Sequence, residues 1–437
     1  MINAAEVKIW NNLVGTLLWD ENQKHSLFQW NKLWINGGIE LSPLLMPNRT
    51  LDAQRAYSFP SADESDYNTF KGLPPFIADA LPDSFGNKVI DKWLETQKRL
   101  PGSFSPLERL CYTGARGFGA LEFFPAIGGK ETVVDVEIEN LIELAQSVYS
   151  ENKKFKTNIG YGKDALKEIL RIGVSAGGSR PKAVIAYNET SGEIKSGQMA
   201  TIPSGYSHWL LKLDGVTKSR ELGMPSGFGR VEYAYYLMAK DCGINMANCK
   251  LLEEGNRAHF MTRRFDRPEN GVKLHMQSLC SMANMNFNLR DTWTYEQIFR
   301  VMRNLKLSQN DIEQQYRRMV FNIVAKNCDD HTKNVAFLMN NVGEWSFSPA
   351  FDVCYAYDPT SKWNQRHLTG INGKFENFTY FDLEKVAKEQ GIKNYNEIIE
   401  QIRDVIIKWL DYAKIVEVDK TIAKGIKKAH ETVNIIK

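Results

Sequence analysis

The sequence has little that would attach it to a membrane or cross-link it by disulfides. Residues 1–6 lack the charged-then-apolar layout of a signal peptide, and no run approaches the ~18 apolar residues of a membrane span. The six cysteines include no C-x-x-C pair, which favours free thiols in a reducing compartment over a disulfide frame or a zinc site. These absences predict a cytoplasmic protein.

The net charge of the chain is also small. The chain has 55 basic against 52 acidic side chains and a formal charge of +3, a balance that is no evidence by itself for nucleic-acid binding. With 437 residues, 43% of them hydrophobic, the chain is long enough for two or three domains with a substantial core. Internal repeats and low-complexity tracts are absent.

One polar stretch, residues 327–334, reads Asn-Cys-Asp-Asp-His-Thr-Lys-Asn. It follows a run with apolar residues at helical spacing, which opens with Ser308 and has Asp311 three positions on, as a capping box does. The pattern predicts a helix whose C-terminus carries the polar stretch. The simpler interpretation is a polar helix end with solvated side chains.

The residues after this stretch predict a β-hairpin. An apolar strand at 335–339 is followed by a turn and a returning strand at 345–348. Because the two outer ends of a hairpin lie side by side, we expect Asn334 to lie close to Asp352.

One small volume could therefore contain Asp329, His331, Asn334 and Asp352. Carboxylate and amide oxygens are hard ligands of the kind that Mg²⁺ prefers. Asp329 and Asn334 have the spacing D-x-x-x-x-N of the protein-kinase catalytic loop, in which the Asp accepts the proton of the acceptor hydroxyl and the Asn binds metal. A later aspartate, here Asp352, would be the second metal ligand.

Two glycine-rich turns are candidates for phosphate binding. Residues 177–182 read Gly-Gly-Ser-Arg-Pro-Lys, so backbone N–H groups, Arg180 and Lys182 could all face an anion. This turn matches neither the Walker A motif nor the G-x-G-x-x-G of ordinary protein kinases. The earlier turn, residues 114–120, has no helix-start signal and no P-loop Lys-Ser/Thr, which favours a tight structural turn.

A lone lysine, Lys212, lies in the apolar strand predicted at 208–213. Burying an ammonium group is costly, so this side chain either reaches solvent or meets an anion. A candidate protein partner is Glu232 on a predicted helix, since a strand lysine paired with a helix glutamate orients ATP phosphates in kinases. A further strand, 258–267, ends in a charged cluster that could border a nucleotide base or form an ion-pair network.

The coarse pattern predicts an α+β protein of two domains. A β meander and several helices make up an N-terminal domain at residues 1–152, and a polar connection marks its end. Residues 153–437 form the second domain. This domain contains the glycine-rich turn at 177–182 and the polar stretch at 327–334, and the sequence after Asp352 is mainly helical.

In order and spacing, these motifs resemble the HipA family of bacterial toxin kinases. The resemblance covers nearly the whole chain, and its most specific part is the D-x-H-x-K-N stretch with its downstream aspartate. The segments that carry it are 81–84, 175–182, 210–213, 264–267, 329–334 and 348–352.

The resemblance implies a serine/threonine kinase that binds ATP and Mg²⁺, with an α/β N-terminal domain and a mostly helical C-terminal kinase domain. Proteins of this family are complexed with a small helix-turn-helix antitoxin, HipB, which represses their operon, so DNA would be reached through the antitoxin. Some phosphorylate aminoacyl-tRNA synthetases and halt translation.

Position by position, the resemblance implies Asp329 as the catalytic base and Asn334 and Asp352 as Mg²⁺ ligands. Ser175 matches a serine that family members autophosphorylate, and the added charge would stop the turn from binding ATP. Asp330 stands where the family has a glycine, so the choice of base stays open, although the spacing favours Asp329. The nucleotide-binding residues that the resemblance implies are Gly177, Gly178, Ser179, Arg180, Lys182, Lys212, Arg263, Phe265, His331 and Asn334.

Two other functions are compatible with the sequence. A kinase-like subunit without catalytic activity could act as a transcriptional corepressor through its antitoxin. A metal-dependent phosphoesterase could use Asp329, Asp330, His331 and Asp352, but such sites normally need more histidine ligands than the sequence places nearby.

Overall fold

The computed structural model describes residues 2–127, 133–149, 180–216, 227–433 and 435. The chain forms two compact units: the first draws on residues 1–226, 252–277 and 338–344, and the second on 227–251, 278–337 and 345–437. Both helices and sheets are present, which confirms the α+β class. Because each unit draws on several stretches of the chain, the domain boundary near residue 152 stays a prediction.

An antiparallel sheet begins the first unit and confirms the predicted meander. Strands β1 and β2 are joined by Trp10 and Asn11, whose φ angles of 47° and 64° are those that a two-residue hairpin turn requires. The strand order is β4-β3-β2-β1-β5. The strands are β1 (Ala4–Ile9), β2 (Asn12–Asp20), β3 (His25–Trp30), β4 (Tyr57–Ser58) and β5 (Leu121–Phe124).

Six helices are described in the first unit. Ser105 and Glu108 form a capping box at the start of the fifth, and the Asp83 carboxylate accepts from the Gly86 N–H at the start of the fourth, which satisfies N–H groups that the helices leave unpaired. A 3₁₀ turn spans Leu51–Gln54. The helices are α1 (Lys32–Gly37), α2 (Glu64–Phe70), α3 (Pro75–Ala78), α4 (Ser84–Thr96), α5 (Pro106–Thr113) and α6 (Ile138–Tyr149).

A second antiparallel sheet packs against these helices. Its order is β7-β6-β8-β10-β9, and Ile185, Trp209 and Leu211 are buried in one core with Val89 and Ile90 of α4. Alternate residues of β6 (Ala183 and Ile185) and of β8 (Trp209 and Leu211) face this core, because successive side chains of a strand point to opposite faces. The strands are β6 (Lys182–Tyr187), β7 (Ile194–Ser196), β8 (Ser207–Lys212), β9 (Cys249–Glu254) and β10 (Arg257–Arg263).

The turn at 114–120 is structural, as the sequence favours. The Asp266 carboxylate is buried and accepts from the Gly119 N–H at 2.8 Å and from Arg264 and Arg267. Both guanidinium groups also donate to the Gly117 carbonyl. Burial alone would raise the pKa of Asp266, but the two arginines hold that pKa well below its usual range. The charged end of β10 is thus an ion-pair network.

The second unit is mostly helical. Helix α10 buries Ile312, Tyr316, Met319 and Ile323 on one face, at the period expected for a helix packed on a core. The helices are α7 (Phe228–Asp241), α8 (Leu279–Met282), α9 (Tyr295–Asn304), α10 (Gln309–Val324), α11 (Tyr380–Glu389), α12 (Tyr395–Ile407), α13 (Trp409–Ile415) and α14 (Lys420–His430).

The remaining strands are short and form two small sheets. One has the order β11-β13-β14 and the other pairs β12 with β15. These strands are β11 (His275–Ser278), β12 (Trp293–Thr294), β13 (Ala336–Met339), β14 (Trp345–Phe347) and β15 (Thr369–Gly370). Across the part of the chain that the structure describes, no helix combines the length and the apolar character needed to span a bilayer.

Gly119 is a position where a side chain should be poorly tolerated. Its φ is +72°, and a Cβ atom there would lie 2.7 Å from the backbone nitrogen of Met276. We expect Gly119→Ala to lower the free energy of unfolding by about 2–4 kcal/mol, from backbone strain and overpacking together. Urea denaturation measures this loss.

Gly102 provides the matched control, because its φ is +74° and no atom lies within 4 Å of a built Cβ. Gly102→Ala should cost only about 1 kcal/mol, the strain of the left-handed conformation alone. Equal losses in the two variants would show that the close contact with Met276 has no energetic weight.

Candidate active site

The polar stretch at 327–334, here called the polar loop, begins just after α10 ends. Ser308 and Asp311 form the predicted capping box at the start of that helix, and Ala325 caps its end. Thr332–Asn334 make one 3₁₀ turn before β13. The expected helix followed by a polar end is therefore confirmed.

The hairpin that follows brings the two ends of its strands together. The Ser348 N–H donates to the Ala336 carbonyl at 3.1 Å, so the segment leaving β14 runs beside the segment entering β13. Asn334 and Asp352 consequently line the same small cavity of about 30 Å³, which lies within the second unit. A cavity of this volume has room for one or two waters or a small ion.

The cavity is lined chiefly by polar side chains. Its wall includes Asp330, His331, Asn334, Asp352 and Arg318. Three of the four residues predicted to share one volume, His331, Asn334 and Asp352, line this cavity. The fourth, Asp329, contacts His331 and Asn334.

Asp329 is the exposed member of the pair of aspartates. Its side chain is 40% exposed, and its Oδ1 lies 3.7 Å from His331 Nε2. The same Oδ1 accepts the indole N–H of Trp363 at 2.7 Å. Within the described ranges, no protein donor is bonded to Oδ2, so this oxygen is available to an incoming hydroxyl.

Asn334 is oriented by a hydrogen bond to the backbone. Its Nδ2 donates to the Asp329 carbonyl at 2.9 Å, which leaves the amide oxygen Oδ1 as the atom able to ligate a cation. Asp352 has a φ of +54°, a left-handed conformation that is uncommon for residues other than glycine, asparagine and aspartate.

Arg318 fixes the segment between β14 and Asp352. Its Nη2 donates to the Ser348 carbonyl at 2.5 Å, and its guanidinium lies 3.9 Å from the centre of the Phe347 ring. Burial lowers the pKa of Arg318 to about 9, which still leaves the group charged at neutral pH. No motif in the sequence indicated Arg318.

Asp330 is buried and its carboxylate accepts four hydrogen bonds. The donors are Tyr295 Oη at 2.9 Å, His367 Nδ1 at 3.0 Å, and the backbone N–H groups of Leu368 and Thr369 at 2.8 and 3.3 Å. Four donors occupy the acceptor positions that two carboxylate oxygens offer. Asp330 therefore has no oxygen to present to a substrate, which favours Asp329 as the base.

His367 is charged because of Asp330. Burial of the imidazole would lower the pKa of His367, but the Asp330 carboxylate outweighs burial and raises that pKa to about 10. A buried charged pair results, which joins the polar loop to the start of β15. Neither His367 nor Tyr295 was expected from the sequence, since each lies more than thirty residues from Asp330.

The first unit contains most of the other predicted residues that the structure describes. Lys182 and Lys212 are directly opposite on β6 and β8. Lys182 is buried and pairs with Asp83 at 3.5 Å, and Lys212 Nζ lies 5.6 Å from the centre of the Phe260 ring. Like charges placed directly opposite repel each other, and the Asp83 carboxylate beside Lys182 reduces that repulsion.

Other predicted residues are described by the structure and are not among the residues that line the cavity. Arg263 ends β10, Phe265 is half-buried beside the ion-pair network, and Arg180 is exposed before β6. Glu232 is buried in α7 of the second unit, and its pairing with Lys212 stays a prediction. Four predicted residues lie outside the described residues: Ser175, Gly177, Gly178 and Ser179.

Two protein-family models match this chain. A family model described as the HipA-like C-terminal domain matches residues 174–410, and one described as the HipA N-terminal domain matches residues 5–124. The first match alone spans more than half of the chain. The chain therefore belongs to the HipA family, as the resemblance implied.

A solved structure supports the fold. HipA of the Shewanella oneidensis MR-1 toxin–antitoxin system, solved with HipB and operator DNA, aligns with 98% of this chain and 95% of its own at 18% identity and a TM-score of 0.64. The Helicobacter pylori proinflammatory kinase CtkA matches 50% of this chain and 92% of its own at 12% identity and a TM-score of 0.29.

The Asp330–His367 pair should be essential for stability. Removing one partner of a buried ion pair leaves an uncompensated charge, so we expect Asp330→Asn to lower the free energy of unfolding by about 3–5 kcal/mol. Asp291→Asn is the control, because Asp291 pairs with Arg366 at the surface, where such pairs contribute about 0–1 kcal/mol. Urea denaturation of both variants measures the difference.

The same pair predicts a pH dependence. The folded pKa of His367, about 10, lies above its ordinary value of 6.5, so its stabilising effect is complete below pH 6.5 and is lost as the pH rises through 10. The free energy of unfolding should fall over this range in the wild-type protein and fall less in Asp330→Asn. Parallel pH profiles for the two proteins would contradict the assignment.

Proposed function

We propose that this chain is a serine/threonine protein kinase that uses ATP and Mg²⁺ and acts as the toxin of a HipBA-like toxin–antitoxin pair. Membership of the HipA family supports this proposal. The observation that carries it is local: an exposed Asp329 beside one cavity that is lined by the Asn334 amide and the left-handed Asp352. This set has the residue types and spacing of a kinase catalytic loop.

The residues at the cavity fit a magnesium ion. Asn334 Oδ1 and the Asp352 carboxylate would supply two oxygen ligands, and Mg²⁺ commonly takes one or two protein carboxylates and keeps several waters. Among the described residues, no group of three or more His, Cys, Asp or Glu side chains is placed to hold a metal by itself. When bound, the ion would offset negative charge on the phosphates.

Asp329 would act as the general base. Its Oδ2 is directed at no protein donor in the described ranges, while Oδ1 is bonded to Trp363. An acceptor serine or threonine hydroxyl at Oδ2 would give its proton to Asp329 as its oxygen forms a bond to the γ-phosphorus and the bond to ADP breaks. Asp330 would keep the loop in place without taking part.

We assign Lys212 to the phosphates of ATP on the family pattern. It lies opposite Lys182 in the sheet, and Lys182 pairs with Asp83 at 3.5 Å. We assign the other contacts to the nucleotide on the family pattern alone. They are Gly177, Gly178, Ser179 and Arg180 around the phosphates, Arg263 and Phe265 near the base, and His331 beside Asn334, with Ser175 as the site of autophosphorylation.

We further propose a HipB-like helix-turn-helix antitoxin as the partner, with DNA reached through it. The support is that HipA from Shewanella oneidensis MR-1 was solved with HipB and operator DNA. The protein substrate would be a translation-related protein such as an aminoacyl-tRNA synthetase, and the cytoplasmic location stays a prediction. A kinase-like corepressor without catalytic activity is the alternative that the next experiment separates.

Transfer of labelled γ-phosphate from ATP tests the catalytic assignment. Asp329→Asn should reduce the rate by about 10²–10⁴-fold, the usual contribution of a general base, while calorimetry shows unchanged binding of ADP with Mg²⁺. Asp352→Asn should instead weaken the Mg²⁺-dependent part of ADP binding. Asp404→Asn is the matched control, since Asp404 is exposed on α12 and does not line the cavity.

Three outcomes would contradict the proposal. Wild-type protein that binds ADP but transfers no phosphate would favour the corepressor. Full activity of Asp329→Asn would remove Asp329 as the base. A rate that falls equally in Asp404→Asn would indicate that loss of any carboxylate, and not of the cavity ligands, explains the result.

A further inference from the structure

We propose that Trp363 is a positioning residue for the phosphoryl transfer assigned above: its indole N–H holds the Asp329 carboxylate in the orientation that a general base needs. This inference rests on the proposed function. The bond from Trp363 Nε1 to Asp329 Oδ1 is 2.7 Å long. That length is typical of a hydrogen bond with a charged acceptor.

The hydrogen bond from Trp363 determines which oxygen of the Asp329 carboxylate faces the acceptor hydroxyl. With Oδ1 bonded to Trp363, rotation about the Asp329 side chain is restricted and Oδ2 is the oxygen left for the acceptor hydroxyl. A half-exposed aspartate without such a partner would sample several rotamers. Restricting it in advance removes an ordering cost from the reaction.

The Trp363 ring is itself held among other aromatic rings. The ring centres of Trp363 and His331 are 6.2 Å apart, those of His331 and Phe287 are 5.4 Å apart, and those of Phe287 and Trp363 are 6.5 Å apart. Aromatic pairs at such separations attract one another. The three rings therefore restrict the position of the Trp363 indole that donates to Asp329.

The loop that carries Trp363 is fixed on both sides. Before the tryptophan, the Asp358 carboxylate accepts from the Thr360 N–H at 2.9 Å, and Ser361 Oγ accepts from the Trp363 N–H at 3.2 Å. After it, Arg366 is bonded to Asp291 and His367 to Asp330. Asp330 therefore fixes the segment that contains Trp363, whose indole N–H donates to the neighbouring Asp329.

A substitution that removes only the donor tests this role. Trp363→Phe keeps an aromatic ring and loses the N–H, so we expect kcat for phosphate transfer to fall about 10–100-fold, the effect of one hydrogen bond to a charged group. The KM for ATP and the binding of ADP with Mg²⁺ should not change. A merely structural defect would change both.

Trp19→Phe is the matched control, because Trp19 donates its indole N–H to the carboxylate of Glu21 at 2.8 Å in the N-terminal sheet. It should keep the wild-type kcat. If wild-type protein transfers no phosphate, the proposed function fails and the positioning role fails with it. If wild type is active and Trp363→Phe retains full kcat, or if both variants lose the same activity, only the positioning role fails.

An NMR measurement tests the bond without relying on the folding of Trp363→Phe. Asp329 is half-exposed, so the isosteric Asp329→Asn should fold, and it replaces the charged acceptor by a neutral one. In ¹H–¹⁵N spectra we expect an indole N–H resonance to move upfield in Asp329→Asn while the indole resonance lost in Trp19→Phe stays in place. Indole resonances that are all unchanged by Asp329→Asn would overturn the inference.

Discussion

The structure of this site depends on one buried carboxylate, that of Asp330, whose charge has to be compensated. Asp330 is excluded from solvent, and burying a charge is costly unless it is paired and fully hydrogen-bonded. Its donors come from α9 through Tyr295 and from the start of β15 through His367, Leu368 and Thr369. Segments far apart in sequence are thereby fixed to the polar loop, and the geometry of the cavity depends on that fixation.

Two adjacent aspartates consequently have opposite environments. The Asp330 side chain is 1% exposed and bonded on every side, whereas the Asp329 side chain is 40% exposed and keeps one oxygen available. Asp330 therefore stabilises the structure, whereas Asp329 can accept a proton. The two residues are of the same type, so this difference comes from their environments. The Trp363 loop connects them, because His367 of that loop binds Asp330 and Trp363 binds Asp329.

Local patterns in the sequence predicted the local parts of this arrangement. The capping box at Ser308, the polar helix end, the hairpin after it and the shared cavity of Asn334 and Asp352 all follow from short-range periodicity and turn chemistry. The partners of Asp330 and Asp329 did not follow, since Tyr295, Trp363 and His367 reach the loop only through tertiary packing. A single aromatic or histidine in a loop gives no periodic signal that would identify it.

The exchange rates of two backbone amides test the central claim most directly. The N–H groups of Leu368 and Thr369 donate to Asp330, so their exchange with deuterium should be slow in the wild-type protein and at least about tenfold faster in Asp330→Asn. The Ser348 amide, which donates to a backbone carbonyl in the hairpin, should not change. Equal protection of Leu368 and Thr369 in both proteins would contradict the account.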